Sequence, residues 1–398
     1  MSKRAKNSWN VFGAAVFLSM ALVGLARYAS AAPSSVSIAQ FGAVGDGKTD
    51  ATAAFVAALS SEATSIEVPP GVYLVGPKTI TLPPGVSLHG ADAASVLKLA
   101  PGTGVLFNAG KQDVFSDLSF DGTQGVSVNE HVGGLINAAA AQGVSFRHLS
   151  FNHCDRVCIN LDHADDSSVE DCTFSQVGMP VQVAFCHQVR IADNFATDCR
   201  LSGVEFWGNW NWQKQDASDI QILGNYFKNA GEGVWGSGAT HVVMADNIVD
   251  GSTDVGLDLE WCDDCVISGN VVSRCANAEI ALFFSCKHIA ITGNTCINDG
   301  PGNPKAKWYA RSGIWLTYPN TSQFKQDFGH EDVSIVGNTI DCARDMPRRA
   351  TWIGGASDNI VLSSNAIDGG GIWTGGFNNV HPMILRQISD NTIVRRAK

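Results

Sequence analysis

Asp258 and Glu260 stand two residues apart in the segment Val255-Gly-Leu-Asp-Leu-Glu260, where leucines hold the alternate positions. On an extended strand two such residues point the same way, with Cα atoms about 6.5 to 7 Å apart. Glu205 occupies the same register two repeats earlier, about 9.5 Å from Asp258 when repeats stack as neighbouring strands. Carboxyl groups separated by about 6.5 to 9.5 Å suit an inverting glycosidase, which needs a proton donor, a base and room for one water. Mutual repulsion and a nearby tryptophan would hold one of them protonated near neutrality. Asp258, Glu260 and Glu205 are therefore the candidate catalytic groups.

The same alternation predicts what surrounds them. Ile159/Leu161, Val181/Val183, Val204/Phe206, Leu257/Leu259 and Ile314/Leu316 read as inward pairs, and Val234 as inward before Gly236. The intervening residues then face outward: Asn160/Asp162, Gln182/Ala184, Glu205/Trp207, Trp235/Ser237, Asp258/Glu260 and Trp315/Thr317. This stripe carries tryptophans, carboxylates and amides but no lysine or arginine. Indole faces stack on the CH faces of sugars, while amides and carboxylates bond sugar hydroxyls. Asn160, Asp162, Gln182, Trp207, Trp235 and Trp315 are thus candidate substrate-binding residues. An insertion, Gly208-Asn-Trp-Asn-Trp-Gln213, adds Trp210 and Trp212, and a longer loop from Tyr318 to His330 is placed to wall the other end. A plainer alternative is that the aromatic residues cover a seam of the fold. At Glu279–Phe284 one extra residue leaves the register open: either Ala281 and Phe283 face out, or Ile280, Leu282 and Phe284 do.

Other candidate groups are weaker. His163 follows Asp162 and could shuttle protons, but a solvent-facing turn histidine is the better reading of it. Cys262-Asp-Asp-Cys265 has half of a zinc-site spacing, and half a site does not make a metal centre.

The elements that position the stripe come from a repeat. Alternating apolar segments end shortly before an asparagine at Asn194, Asn225, Asn247, Asn270, Asn294 and Asn338, with gaps of 31, 22, 23, 24 and 44 residues. A period of this length with Gly-rich turns and few helix signals marks a parallel β-solenoid, an all-β fold. The asparagines are expected to bond backbone and one another at a shared bend. Cys186, Cys262 and Cys286 lie eight residues before such asparagines, where other repeats carry Ala164, Ala217 and Ala239. A site that accepts alanine or cysteine is small and buried, so most of the 11 cysteines are expected to be reduced. Cys262 and Cys286, on adjacent repeats, form the best disulfide candidate.

Residues 1–32 read as a secretory signal: Lys3, Arg4 and Lys6 precede the apolar run Val11–Ala26, and small residues follow at Ala29-Ser-Ala-Ala32. The run is short for a membrane span, so the mature chain is expected to be secreted or periplasmic, without stable membrane association. Its removal would move the net charge from −11 to −15. Such a balance excludes general electrostatic attraction to nucleic acid. The remaining chain divides into an N-terminal cap and first rungs at 33–100 and a body at 101–398, with insertions near 208–217 and 318–330. A helix over Ala51–Ser61, capped by Thr49 or Asp50, would cover the open end of the coil with Ala54, Phe55, Ala58 and Leu59.

Three stretches carry a family resemblance: FGAVGDGKTDATAAF at 41–55, VPPGVYLV at 68–75 and LPPGVSLHG at 82–90. They resemble the N-terminal segment of the pectate-lyase-like superfamily, which includes rhamnogalacturonase- and epimerase-like β-helix proteins, polygalacturonase relatives and phage tailspikes. The resemblance implies a right-handed parallel β-helix and a carbohydrate-directed function. It departs at Ala51, where a second acid is common, and the paired-Asp and Gly-His-Gly motifs of polygalacturonase-type hydrolases are missing. The leading expectation is a glycoside hydrolase acting on a polysaccharide or oligosaccharide without a cofactor. One alternative is a lyase or uronate epimerase, with Ca²⁺ held by Asp258 and Glu260 and Arg311 or Lys287 as base. The other is a non-catalytic glycan-binding or surface-attachment solenoid.

Overall fold

The computed structural model describes residues 34–91, 94–123, 133–209, 215–298, 312–316, 329–342, 349–353, 357–374 and 385–394. These residues wind into three parallel sheets of 15, 14 and 12 strands, each rung giving one strand to each sheet. His187–Ala192, Phe195–Thr197 and Val204–Trp207 form one such rung. The chain is a right-handed parallel β-helix.

The bend between the first two strands of a rung has a local cause. Before each ladder asparagine stands a residue with positive φ, Asp193 (56°), Gly224 (64°), Asp246 (56°) or Gly269 (67°). Aspartate and glycine tolerate this left-handed region better than most residues. The asparagine that follows then bonds its successor twice. Asn225 donates from its backbone N–H at 3.0 Å and from Nδ2 at 3.0 Å, both to Asn247 Oδ1. The same pattern passes through Asn270, Asn294 and Asn338 and continues to Asn365 and Asn391. The expected ladder therefore exists, and it is longer than the six asparagines first visible.

Inside the coil, apolar side chains stack rung on rung. Phe120, Phe151 and Phe174 lie nearly coplanar, with ring centroids 4.5 and 5.2 Å apart. All 11 cysteines are buried and none is joined in a disulfide. The Cys262–Cys286 bridge does not form: Cys262 donates to Glu260 O and Cys286 to Leu259 O instead. A short helix, Thr52–Leu59, sits near the N-terminal end with Ala54, Phe55, Ala58 and Leu59 buried. Asp50 accepts from the Thr52 N–H at 2.8 Å, which satisfies one donor of its first turn. No described helix is long and apolar enough to cross a membrane; residues 1–33, which hold the expected signal, lie outside the described residues.

Candidate functional site

The 12-stranded sheet carries the stripe. Its register pairs Asn137, Asn160, Gln182, Glu205, Trp235, Asp258, Ala281, Trp315, Trp352 and Trp373 in a single outward line. A parallel line runs through Asp162, Ala184, Trp207, Ser237, Glu260 and Phe283. Ala281 and Phe283 thus face outward, which closes the open register. Leu257 and Leu259 are fully buried inside.

A cavity of about 710 Å³ opens on this sheet. Asn160, Asp162, Gln182, Glu205, Trp207 and Trp235 line it, as strand alternation predicts. Gly133 and Ala184 also line it, and the rest of its wall comes from the turns that lead into the sheet: Arg200, Leu201 and Ser202 in one rung, Gly231 and Glu232 in the next, Thr253 and Asp254 in the third. Backbone bonds hold these turns in step, Gly231 N–H to Leu201 O at 2.8 Å and Asp254 N–H to Gly231 O at 2.9 Å.

Three parts of the predicted site need correction. Asp258 is on the outward line but only 1% exposed, and neither it nor Glu260 lines the cavity. Both stand one rung beyond Trp235, whose indole N–H donates to the Glu260 carboxylate. Trp315 is also outward yet buried, because its ring stacks on Trp352 at 4.7 Å and meets Phe283 edge-on; it offers no open platform. Trp210, Trp212, Arg311 and most of the 318–330 loop lie outside the described residues. Lys287 belongs to the 15-stranded sheet, where its Nζ pairs with Glu331 at 3.1 Å, so it is not a base for this cavity.

Glu232 and Asp254 escaped strand-based reading because they precede the strands. Their signal was register: Glu232 stands three residues before Trp235, as Ser202 stands three before Glu205. Burial pushes the Glu232 carboxyl well above the ordinary range, helped by Asp254, Glu260 and Glu205. Asp254 is raised by burial against a hydrogen bond from Asn277. Burial and the charges of Glu260, Glu232 and Asp254 raise Asp258. Glu260 rises to about 7, through burial, against the bond from Trp235 and with Asp254 adding to the rise. Glu205 differs in accepting a hydrogen bond from Ser202 Oγ at 3.1 Å. The wall therefore sets a hydrogen-bonded carboxyl beside carboxyls whose burial favours the protonated form, a setting for proton transfer.

At the cavity edge, Asp162 Oδ1 meets His163 Nδ1 at 2.6 Å, and the exposed His163 ring stacks on Phe185, which in turn tilts against Trp207. Among the described residues no three His, Cys, Asp or Glu side chains converge to hold a metal ion.

The chain belongs to the right-handed beta helix region family, whose match runs over residues 134–381. No curated protein matches it by sequence. Among solved structures it is similar to the A-module of the mannuronan C-5 epimerase AlgE6 from Azotobacter vinelandii, with a TM-score of 0.70 and 15% identity over 91% of this chain and 100% of that one. It is similar to the catalytic unit of a GH87 α-1,3-glucanase from Streptomyces thermodiastaticus (TM-score 0.60, 16% identity, 87% of this chain and 69% of that one). The surface adhesin PfbA of Streptococcus pneumoniae is a third (TM-score 0.58, 13% identity, 90% and 91%). At such identities the likeness is one of fold, and that fold serves an epimerase, a glucanase and an adhesin.

Proposed function

We propose that this chain is an exported glycoside hydrolase that cleaves a polysaccharide or oligosaccharide held in the cavity at Glu205, Trp207, Glu232 and Trp235. The observation that carries the reading is the pairing of carboxyls in unlike environments on adjacent rungs, between two tryptophans. Glu232, protonated by its surroundings, gives its proton to the glycosidic oxygen as the C–O bond breaks. Glu205, held by Ser202, takes a proton from the water that attacks the anomeric carbon. Trp207 and Trp235 offer apolar surface for stacking, and Asn160 and Gln182 offer amides for hydroxyls. Asp254 and Glu260 act on Glu232 through charge.

The alternatives fare less well on the same wall. Elimination or epimerisation needs a base for a sugar C–H and positive charge for the uronate, and the described wall offers carboxylates with Arg200 alone as cation. A purely adhesive role leaves the raised carboxyls without a use.

The purified protein should be incubated with a panel of glycans, with and without a chelator. New reducing ends without an unsaturated, ultraviolet-absorbing product support hydrolysis. An unsaturated product means elimination, an inverted uronate means epimerisation, and binding without any product means a lectin-like role.

A further inference from the structure

We propose that the cavity accepts an uncharged glycan and rejects uronate chains, an inference that rests on reading the cavity as a hydrolase site. Four of its lining residues are acids, Asp162, Glu205, Glu232 and Asp254. Arg200 is the one cation among the described lining residues, and its Nε already donates to Asp155 at 2.6 Å. Asp258 and Glu260 add two more acids one rung behind Trp235. A uronate carboxylate would therefore enter a wall of acids whose ionised members repel it and whose one described cation is already engaged by Asp155.

Hydrogen-bond polarity points the same way. Glu232 Oε2 is buried and has no hydrogen-bond partner among the described residues. A buried carboxyl oxygen of this kind calls for a ligand group that can serve it in either protonation state. A sugar hydroxyl both donates and accepts, so it fits the wall acids whether or not they are ionised, whereas an ionised uronate carboxylate only accepts and finds no donor on an ionised acid. Trp207 and Trp235 in the same cavity add stacking surface that serves neutral and acidic rings alike, so the discrimination falls on the carboxyls.

Calorimetric titration at neutral pH tests this, with hexasaccharides of glucose, galactose and mannose set against the matching uronate hexasaccharides. The full chain and its Glu232→Gln variant are both titrated, so that cleavage does not obscure binding. At least one neutral chain should bind, with its uronate counterpart about 100-fold weaker or more, since juxtaposed like charges are heavily penalised. Asp254→Asn, which removes one ionisable acid from the wall, should narrow that gap, by up to about tenfold. A uronate chain binding as tightly as its neutral partner would overturn the proposal, and so would a failure of every chain to bind. Neutral chains that bind selectively but are never cut would leave the ligand class standing and remove the hydrolase reading.

Discussion

Ser202 Oγ donates to Glu205 Oε1 at 3.1 Å, tying the turn that enters the sheet to the carboxylate on its outward strand. One rung on, the place of Ser202 is taken by Glu232, whose Oε2 has no hydrogen-bond partner among the described residues. The coil repeats its backbone but not its chemistry: one position stabilises a neighbouring carboxylate, and the next holds a carboxyl raised by burial. Unlike environments for paired acids are how acid and base roles separate.

Glu232→Gln and Glu205→Gln should each lower kcat by about 10²- to 10⁴-fold, with oligosaccharide binding kept within about tenfold. The amide preserves volume and most hydrogen bonding while removing the transferable proton. Asp258→Asn and Glu260→Gln should retain far more of the rate, since neither residue lines the cavity. Steady-state kinetics on the four variants decide it; a rate loss confined to Asp258 and Glu260 would move the centre beyond Trp235.

Activity and stability should both decline on the alkaline side. Asp258, Glu232, Asp254 and Glu260 keep their protons to higher pH in the folded chain than in the unfolded one. The native state therefore binds more protons, and stability from these groups falls as pH rises. That contribution is complete below the ordinary carboxylate range, about pH 4, and Glu260 loses its share as pH passes about 7. Thermal melts between these limits should show Tm falling, with a shallower slope in Asp258→Asn. An unchanged slope would mean that Asp258 does not carry a raised pKa.

Trp235→Ala should weaken glycan binding first, by about 1 to 3 kcal/mol, taking base stacking on aromatics as the guide. It should also act on Glu260. The indole bond favours the ionised carboxylate, so its loss should push the Glu260 pKa above about 7. Carboxyl-carbon NMR titration of Glu260, beside the binding isotherm, would show both effects; a weakened isotherm with an unmoved Glu260 would break the link between them.

The solenoid was legible because its register is a sum of many small agreements: Asn194 to Asn338 at one bend, Val204/Phe206 and Leu257/Leu259 at one inward face. Alternation alone placed Glu205, Trp207 and Trp235 at the cavity. It did not see depth. Asp258 and Trp315 point away from the core as predicted, yet neighbours on the outer face bury them, and strand parity carries no information about what lies over a sheet. It also missed Glu232 and Asp254, which sit in turns where the period of two does not run. The disulfide expected at Cys262 and Cys286 failed for a related reason: stacking on adjacent rungs set their spacing, while each thiol found a backbone carbonyl.

Gly236 is the position where packing inside the coil meets the cavity outside. A Cβ on Gly236 would lie 1.8 Å from Phe206 Cζ, with two more ring atoms within 2.4 Å. The Phe206 ring thus fills the space of the missing side chain, directly behind the strand that presents Trp235. Gly236→Ala should force that ring or the strand to shift, costing about 1 to 3 kcal/mol as an overpacked core does. Because Trp235 is the next residue, the shift should raise KM more than it lowers kcat. Phe206→Leu combined with Gly236→Ala frees ring volume for the new methyl and should recover part of both losses. Melting curves and kinetics of the single and double variants form a cycle, and an additive outcome would show that Phe206 and Gly236 do not act as one packing unit.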